Sequence, residues 1–496
     1  MSTKHILILV GLTLSVFSCT LFNRFVGDDH VLFEGNAFYT SWSHWPDLFT
    51  RRYLTPGTIG GGSPGPVYNS GSVSYRPVLS LSYFFDYSLW KLDPFGYHLT
   101  NLVLHLFNTL LVYALLVAVC RNPTAALLGA CIFGLHPTKV EAVAAIGYRA
   151  DLLACFFQLL SFLSFIYYRT RHKARYWTGC LAAYFLALFT KESAVVMPLI
   201  FLAYDFYFSS SSGPVHIPCS FVWRKPPLNR EAIGQISLRA QGMPLPWPPD
   251  EKRGLILEYM LLMALTVFYL YIYFFVFPNT SLTHIQYLGG TLARQVTAVS
   301  WIFTRYMIDM ILPFQVTMLP PLYLPAIEPF PFLRLLSGIL LFAAAVAMTI
   351  RFYKTDKPAS FFMGLFLVSL IPVANIIPLA NPMAHRFLYF PSIGFAAVCA
   401  IFLARWQGFS GGIFKTALIG LCVAYTLPLN VRWNNDVSVA KTLLEHYPDN
   451  IKAHLILGWQ YLKAGDKKQA RQQFAACIRL GDRDPWIADL MKAAHE

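Results

Sequence analysis

Charge is what this sequence has least of. Asp, Glu, Lys and Arg make up 13% of its 496 residues while 56% are hydrophobic, and soluble domains carry roughly a quarter charged residues. That balance excludes an ordinary soluble domain and points to the membrane class. Paired cysteines are also missing. Cys19, Cys120, Cys131, Cys155, Cys180, Cys219, Cys399, Cys422 and Cys477 form no CxxC pair and no metal-like cluster, and most lie in apolar runs as small core residues. No Walker phosphate loop and no HExxH zinc signature occurs, so the sequence lends no support to nucleotide hydrolysis or zinc proteolysis.

What is present is aromatic and apolar. The 41 Phe and 27 Tyr suit a chain with many side chains at membrane interfaces. A spanning helix needs about 20 apolar residues. Runs of this kind lie at 6–24, 97–119, 124–136, 150–168, 176–190, 193–208, 255–277, 332–350, 360–379, 387–404 and 412–430. They predict about eleven spans, of which 124–136 and 176–190 are short. Lys4 and His5 precede the first run as in a signal peptide, but the small-residue cleavage pattern is poor, so an uncleaved helix is expected. A further apolar stretch, 296–312, is followed by Pro313, Pro320, Pro321 and Pro325, and reads as interfacial or re-entrant.

Basic loops give the orientation. Arg169, Arg171, Lys173 and Arg175 share one loop, Arg351, Lys354 and Lys357 another, and 209–254 holds Arg224, Lys225, Arg230, Arg239, Lys252 and Arg253. Placing all three in the cytoplasm satisfies the positive-inside rule and puts the C-terminus outside. The formal charge of +14 is then topological rather than a nucleic-acid surface. The chain divides into a membrane body, 1–430, with an external loop at 25–96 and the cytoplasmic loop at 209–254, and an external helical tail, 431–496. In that tail, Leu457, Gly458, Tyr461, Ala470 and Phe474 fall at tetratricopeptide-repeat spacings counted from Ile451, with His454 where Trp is usual. A single repeat cannot bury its own apolar face and has to dock on a neighbour.

Mapped onto this topology, ionisable residues gather at the outer edge. Asp28, Asp29 and Glu34 follow the first span, and Arg76 lies in the first external loop. His136, Glu141, Arg149 and Asp151 surround the second external turn, Lys191 and Glu192 follow the fifth span, and His385 and Arg386 open the tenth. Charges beside hydrocarbon are expensive and tend to be functional. For each residue alone, interfacial anchoring is the rival reading, and for the aspartates helix capping. His105, mid-span, reads as a core histidine, while His98 and His136 stay open. As a set the residues suit a lipid phosphate reacting with a neutral nucleophile: Arg and Lys hold phosphate, and a carboxylate takes the proton of an attacking hydroxyl.

The motifs GDD (Gly27 to Asp29), SYRP (Ser74 to Pro77), PFGYHLTNLVLH (Pro94 to His105), LHPTKVEAVAAIGYRADLLA (Leu135 to Ala154), FTKES (Phe189 to Ser193) and HRFLYFPSIGF (His385 to Phe395) follow one another in an order that resembles the transmembrane-and-TPR O-mannosyltransferases. The resemblance covers most of the chain. It implies an all-α, polytopic GT-C-like bundle, a dolichyl-type polyprenyl-phosphate sugar donor, and an external active site with a catalytic acidic pair falling on Asp28 and Asp29. The sequence departs from that family in carrying one clear repeat where an array is usual, and in the Gly-rich stretch 57–65.

The expectation is therefore an inverting transfer of a mannose-like sugar from a polyprenyl-phosphate donor to a hydroxyl, as of protein Ser or Thr. Asp28 or Asp29 would be the base, Asp28 being favoured, and Arg76, Arg149, Lys191, His385 and Arg386 the phosphate candidates. Glu34, His136, Glu141 and Glu192 are further site candidates. No cofactor is required by the pattern; a divalent cation (Mg or Mn) at the acids is compatible with it but not called for by spacing. The partners would be the lipid-linked donor, surrounding membrane lipid and a protein acceptor docked by the tail. A lipid-linked-sugar transporter should instead show charges at mid-membrane and an internal repeat. A scaffold presenting the tail would leave the acids dispensable.

Overall fold

The computed structural model describes residues 2–34, 36–50, 75–208, 249–277, 287–313, 331–379, 381–482 and 485–494. Most of the 209–254 loop, the 57–65 stretch, Cys219, and Pro320, Pro321 and Pro325 lie outside them. Among the described residues there is no strand, so the expected all-α class is borne out. Among the described residues, six helices are long and apolar enough to cross a membrane, by length and composition: Thr3–Phe22, Pro94–Cys120, Ile146–Arg171, Gly254–Val276, Phe332–Thr355 and Gly408–Arg432. The protein is a multi-pass integral membrane protein.

Three shorter apolar helices, Pro123–Leu135, Lys357–Val373 and Ser392–Arg405, accompany them. The runs expected at 176–190 and 193–208 are the helices Ala174–Leu188 and Met197–Phe208. At 1.5 Å per residue, the 13-residue Pro123–Leu135 helix reaches only about 20 Å, short of the ~30 Å hydrocarbon core. It is buried along nearly its whole length, packed against Pro94–Cys120 and Ser392–Arg405. Phe332–Thr355 is the opposite case. Phe332, Leu333, Ile339, Leu340 and Phe342 are exposed along it, as lipid-facing side chains must be.

Several runs that read as continuous spans break at one end. Expected span 360–379 leaves α-helix at Leu370, where Pro372 follows in a 3-10 turn, Ile371–Val373. Span 387–404 begins only at Ser392, after the turn His385–Leu388 and Pro391. Span 193–208 begins at Met197, after the turn Glu192–Val196. These breaks place Lys191, Glu192, His385 and Arg386 on short turns at the ends of the bundle. The 296–312 stretch is one helix, Leu292–Ile311, packed along Pro331–Thr355.

The 25–96 segment holds a helix that the hydropathy pattern did not disclose, Pro77–Trp90. Proline at its first position starts it without loss of a needed N–H. Tyr83 and Phe84 turn inward into an aromatic cluster with Phe33, Tyr39 and Tyr97. In the tail, helices Ile451–Lys463 and Lys467–Arg479 pack as a hairpin, with Gly458 leaving space for the buried Phe474 ring. Helix Asp436–His446 packs on the first arm of the hairpin.

Candidate active site

The acidic pair sits on a tight loop after the first span, opened by Gly27 in the left-handed region at φ +59°. The two carboxylates are not equivalent. Asp29 is 1% exposed, and both its oxygens accept backbone N–H groups, from Val26 at 3.1 Å and Gly147 at 2.6 Å. Burial pushes its carboxyl up to about 6, against the pull of those two hydrogen bonds. Gly147 is what lets the two loops meet. A Cβ there would stand 3.2 Å from both the Asp29 carboxylate and the Leu32 side chain.

Asp28 is partly exposed and makes no hydrogen bond to the described residues. Burial raises its carboxyl to about 7, opposed by the charges of Arg386 and Lys452 and reinforced by Asp29. A carboxyl poised near neutrality with free oxygens is what a general base requires.

Arg386 faces this pair on the turn His385–Leu388. Its guanidinium pairs with Glu141, and its backbone N–H donates to the same carboxylate at 3.0 Å. The guanidinium carbon lies 4.0 Å from the centre of the Tyr148 ring and 5.0 Å from that of Phe387. Lys191 Nζ also lies near the Phe387 ring, 5.1 Å from its centre, and is 2.5 Å from Asp151. One phenyl ring is thus close to two cations. Asp151, Gln158, Ser193, Ser369 and Phe387 line an enclosed cavity beside them. Arg76 grips Glu192 through two nitrogens, at 2.8 and 3.2 Å. Burial pushes the Glu192 carboxyl up, but the charges of Arg76 and Lys191 outweigh it and hold the carboxyl below its ordinary value.

Asp28, Asp29, Glu141, Lys191, Glu192, Arg76 and Arg386 are therefore linked through shared neighbours. The other four candidates, Arg149, His385, His136 and Glu34, hold other partners. Arg149 is fully buried beside the aromatic cluster. Its guanidinium donates to Asn101 (2.7 Å), Ser82 (3.2 Å) and the Tyr97 carbonyl (3.0 Å), pairs with Asp86 (2.5 Å) and covers the Tyr83 ring. His385 turns away to Asp309, at 3.1 Å, which Arg305 also meets. His136 lies between Thr138 and the Met310 carbonyl. The expected core histidine His105 bridges Tyr389 and the Gly134 carbonyl. Glu34 holds His30 at 2.6 Å at the exposed margin.

Sequence reasoning missed Tyr148, Asp436 and Lys139. Asp436, from the tail, takes hydrogen bonds from Gly27 and His30. Lys139 is fully buried against Ser392, Thr138 and the Phe133 and Tyr389 rings, and burial pulls its ammonium down to about 7. Its signal in the sequence was a lysine between two long apolar runs. Among the described residues, no group of three or more His, Cys, Asp or Glu converges as a metal site. With both Asp29 oxygens occupied, Asp28 alone of the pair could turn to a cation.

No protein-family model matches the chain. A protein O-mannosyl-transferase of Caenorhabditis elegans is 24% identical over 494 residues, covering 96% of this chain and 63% of the relative. One from Mus musculus is 26% identical, covering 90% and 48%. Another from Drosophila melanogaster is 32% identical over 194 residues, 38% of this chain. This chain thus spans about half to two-thirds of the length of the relatives it matches along most of its own length. Among solved structures, ArnT from Cupriavidus metallidurans bound to undecaprenyl phosphate aligns with a TM-score of 0.40 at 12% identity, covering 100% of this chain and 78% of that one. The resemblance carried by the sequence motifs is borne out: the chain's relatives are protein O-mannosyl-transferases.

Proposed function

We propose that this protein is a GT-C-type glycosyltransferase that moves a mannose-like sugar from a polyprenyl-phosphate donor to a hydroxyl of a protein Ser or Thr. One observation carries this reading: Asp28, with free oxygens and a carboxyl near neutrality, faces Arg386, which Glu141 and Tyr148 hold in place. The names of the relatives support the same chemistry.

In this scheme the acceptor hydroxyl oxygen attacks the anomeric carbon from the face opposite the phosphate, and its proton passes to Asp28. The anomeric C–O bond breaks, and the electron pair leaves with the polyprenyl phosphate. Arg386, Lys191 and Arg76 stabilise that leaving charge, Arg through paired N–H donors. Asp29 fixes the loop that carries Asp28. Arg149, His385 and His136 support the framework rather than the phosphate: the fully buried Arg149 guanidinium is divided among Asn101, Ser82, Tyr97 and Asp86, and the two histidines turn to Asp309, Thr138 and the Met310 carbonyl. The membrane body, 1–430, would supply the apolar groove for the polyprenyl chain, and the tail, 431–496, would share the outer face and present the acceptor.

The purified full chain, incubated with synthetic polyprenyl-phosphate mannose and a Ser/Thr-rich peptide, should release polyprenyl phosphate and glycosylate the peptide. Failure to turn over any polyprenyl-phosphate sugar, with the chain folded, would remove the proposal.

A further inference from the structure

The tail reaches back into the acidic loop through one carboxylate. Asp436 Oδ1 accepts the Gly27 backbone N–H at 2.9 Å, and Oδ2 accepts from His30 Nε2 at 2.9 Å and Gln460 Nε2 at 2.7 Å. Gly27 immediately precedes the acidic pair and His30 immediately follows it. The pair is therefore bracketed from outside its own segment, 406 to 409 residues away in the chain.

Asp436 is not occupied as a helix cap. Asn435 caps that helix, its side chain accepting the Ser438 N–H at 3.0 Å. Asp436 occupies the first helical position, where the helix dipole favours a carboxylate, and aims it sideways into the loop. The neighbouring strap follows the same course: Arg24 N–H donates to the Asn434 carbonyl at 2.8 Å, and Asn430 donates to the Val16 carbonyl at 2.9 Å. Asp436 is 5% exposed, so its charge is compensated locally by His30, which Glu34 holds from its other nitrogen at 2.6 Å. Burial works against a charge on His30, but its hydrogen bonds to Asp436 and Glu34 outweigh that and hold its pKa up to about 10.

We infer that Asp436 is a positioning residue for Asp28, and that the C-terminal helices complete the site by fixing the turn that carries it. Asp28 makes no hydrogen bond to the described residues, so its direction is set by the turn that carries it. Asp29 holds that turn through the Val26 and Gly147 N–H groups, and Asp436 holds it on either side of the acidic pair, at Gly27 and His30. A shift of about 1 Å in a reacting group can cost on the order of 10²-fold in rate. This inference rests on the proposed role of Asp28 as base.

The experiment compares wild type, Asp436→Ala and Asp436→Asn as full chains in lipid nanodiscs. Two readouts are used: turnover of polyprenyl-phosphate mannose, and the pH midpoint of carbodiimide labelling at Asp28, read by mass spectrometry. Asp28 faces Arg386, Lys452, Asp29 and Tyr148, and none of these changes in the variants. Asp436→Ala should lower kcat by about 10²-fold with donor KM within about twofold, and should move the Asp28 midpoint toward the ordinary carboxylate range as the turn opens. Asp436→Asn should recover most of both. Its carbonyl still accepts the Gly27 N–H, and its amide can donate to His30 Nε2 once that ring loses its charge, while Nδ1–H keeps Glu34 and Gln460 turns its own amide oxygen to the new NH₂. A midpoint and kcat within about twofold of wild type in folded Asp436→Ala would overturn the inference; should that variant fail to fold, His30→Ala, which removes the contact to Asp436 after the pair, takes its place. If wild type turns over no donor, the labelling arm still decides. A shifted midpoint then sustains the positioning role while the proposed reaction fails, and an unshifted one defeats both.

Discussion

Glu141 holds Arg386 twice, pairing with its guanidinium and accepting its backbone N–H at 3.0 Å. The grip fixes the start of the turn as well as the side chain, so the guanidinium stays over the Tyr148 ring, where its charge acts on Asp28. Arg386→Lys keeps the charge but loses the planar fork and the stacking. We expect it to fold and to bind donor at least about tenfold more weakly, measured as donor KM and as polyprenyl-phosphate affinity. Arg386→Leu should differ in kind. It strands the Glu141 carboxylate in the interior, and removing one partner of a buried ion pair costs about 3–5 kcal/mol, so a thermal melt should show it.

The two aspartates should separate by phenotype. Asp28→Asn keeps shape but cannot take a proton. It should express like wild type and melt no lower, while transfer falls by roughly 10²–10⁴-fold, the range for loss of a general base. Asp29→Asn can accept only one of the two N–H groups that Asp29 now accepts. Its amide NH₂ must face either Val26 or Gly147 donor to donor, which should cost about 1–3 kcal/mol of stability. A melt unchanged in Asp29→Asn would refute the anchoring role, and near-normal transfer by Asp28→Asn would refute the base.

Arg149→Lys tests a framework role against a phosphate role. Lysine cannot reach Asn101, Ser82, Tyr97 and Asp86 together, and each buried group left unpaired costs about 1–3 kcal/mol. The expected result is a clear drop in melting temperature with unchanged donor KM in the folded fraction. Weakened donor binding at unchanged stability would return Arg149 to the phosphate set.

Much of this was legible in the chain and some was not, for geometric reasons. The helices were readable because apolar runs in a poorly charged chain have few other homes, and the acidic pair because adjacent carboxylates at a span end have no topological use. Arg149 was misgrouped with Asp151 because spacing in the chain hides direction. They lie in one helix, where two residues turn the side chain by about 200°, so one points to the aromatic cluster and the other to Lys191. The ends of spans 360–379 and 387–404 were overrun because hydropathy is blind to proline geometry. Asp436 was invisible for a different reason. Its partners are some 400 residues away, and a single aspartate at a helix start is ordinary in any sequence.

The pH behaviour of activity and stability should run in opposite directions, which few other assignments would produce. The Asp28 carboxyl is raised to about 7 and Asp29 to about 6, in each case chiefly by burial; both would titrate near 3.9 in the unfolded chain. The folded state therefore binds protons more tightly between about pH 4 and 7, and stability attributable to these groups is full below about pH 4 and is lost as pH rises to about 7. One proton taken up contributes at most about 1.4 kcal/mol per pH unit, and less for Asp28 because solvent reaches it. Transfer needs the ionised base, so kcat should climb about tenfold per unit up to about pH 7 and then level. Asp28→Asn should flatten the stability slope between about pH 4 and 7 while leaving the smaller Asp29 contribution below about pH 6. Measured melts of wild type and variant across that range, beside a kcat profile, settle it. Parallel slopes in the two proteins would show that Asp28 titrates at its ordinary value and is not poised as the base.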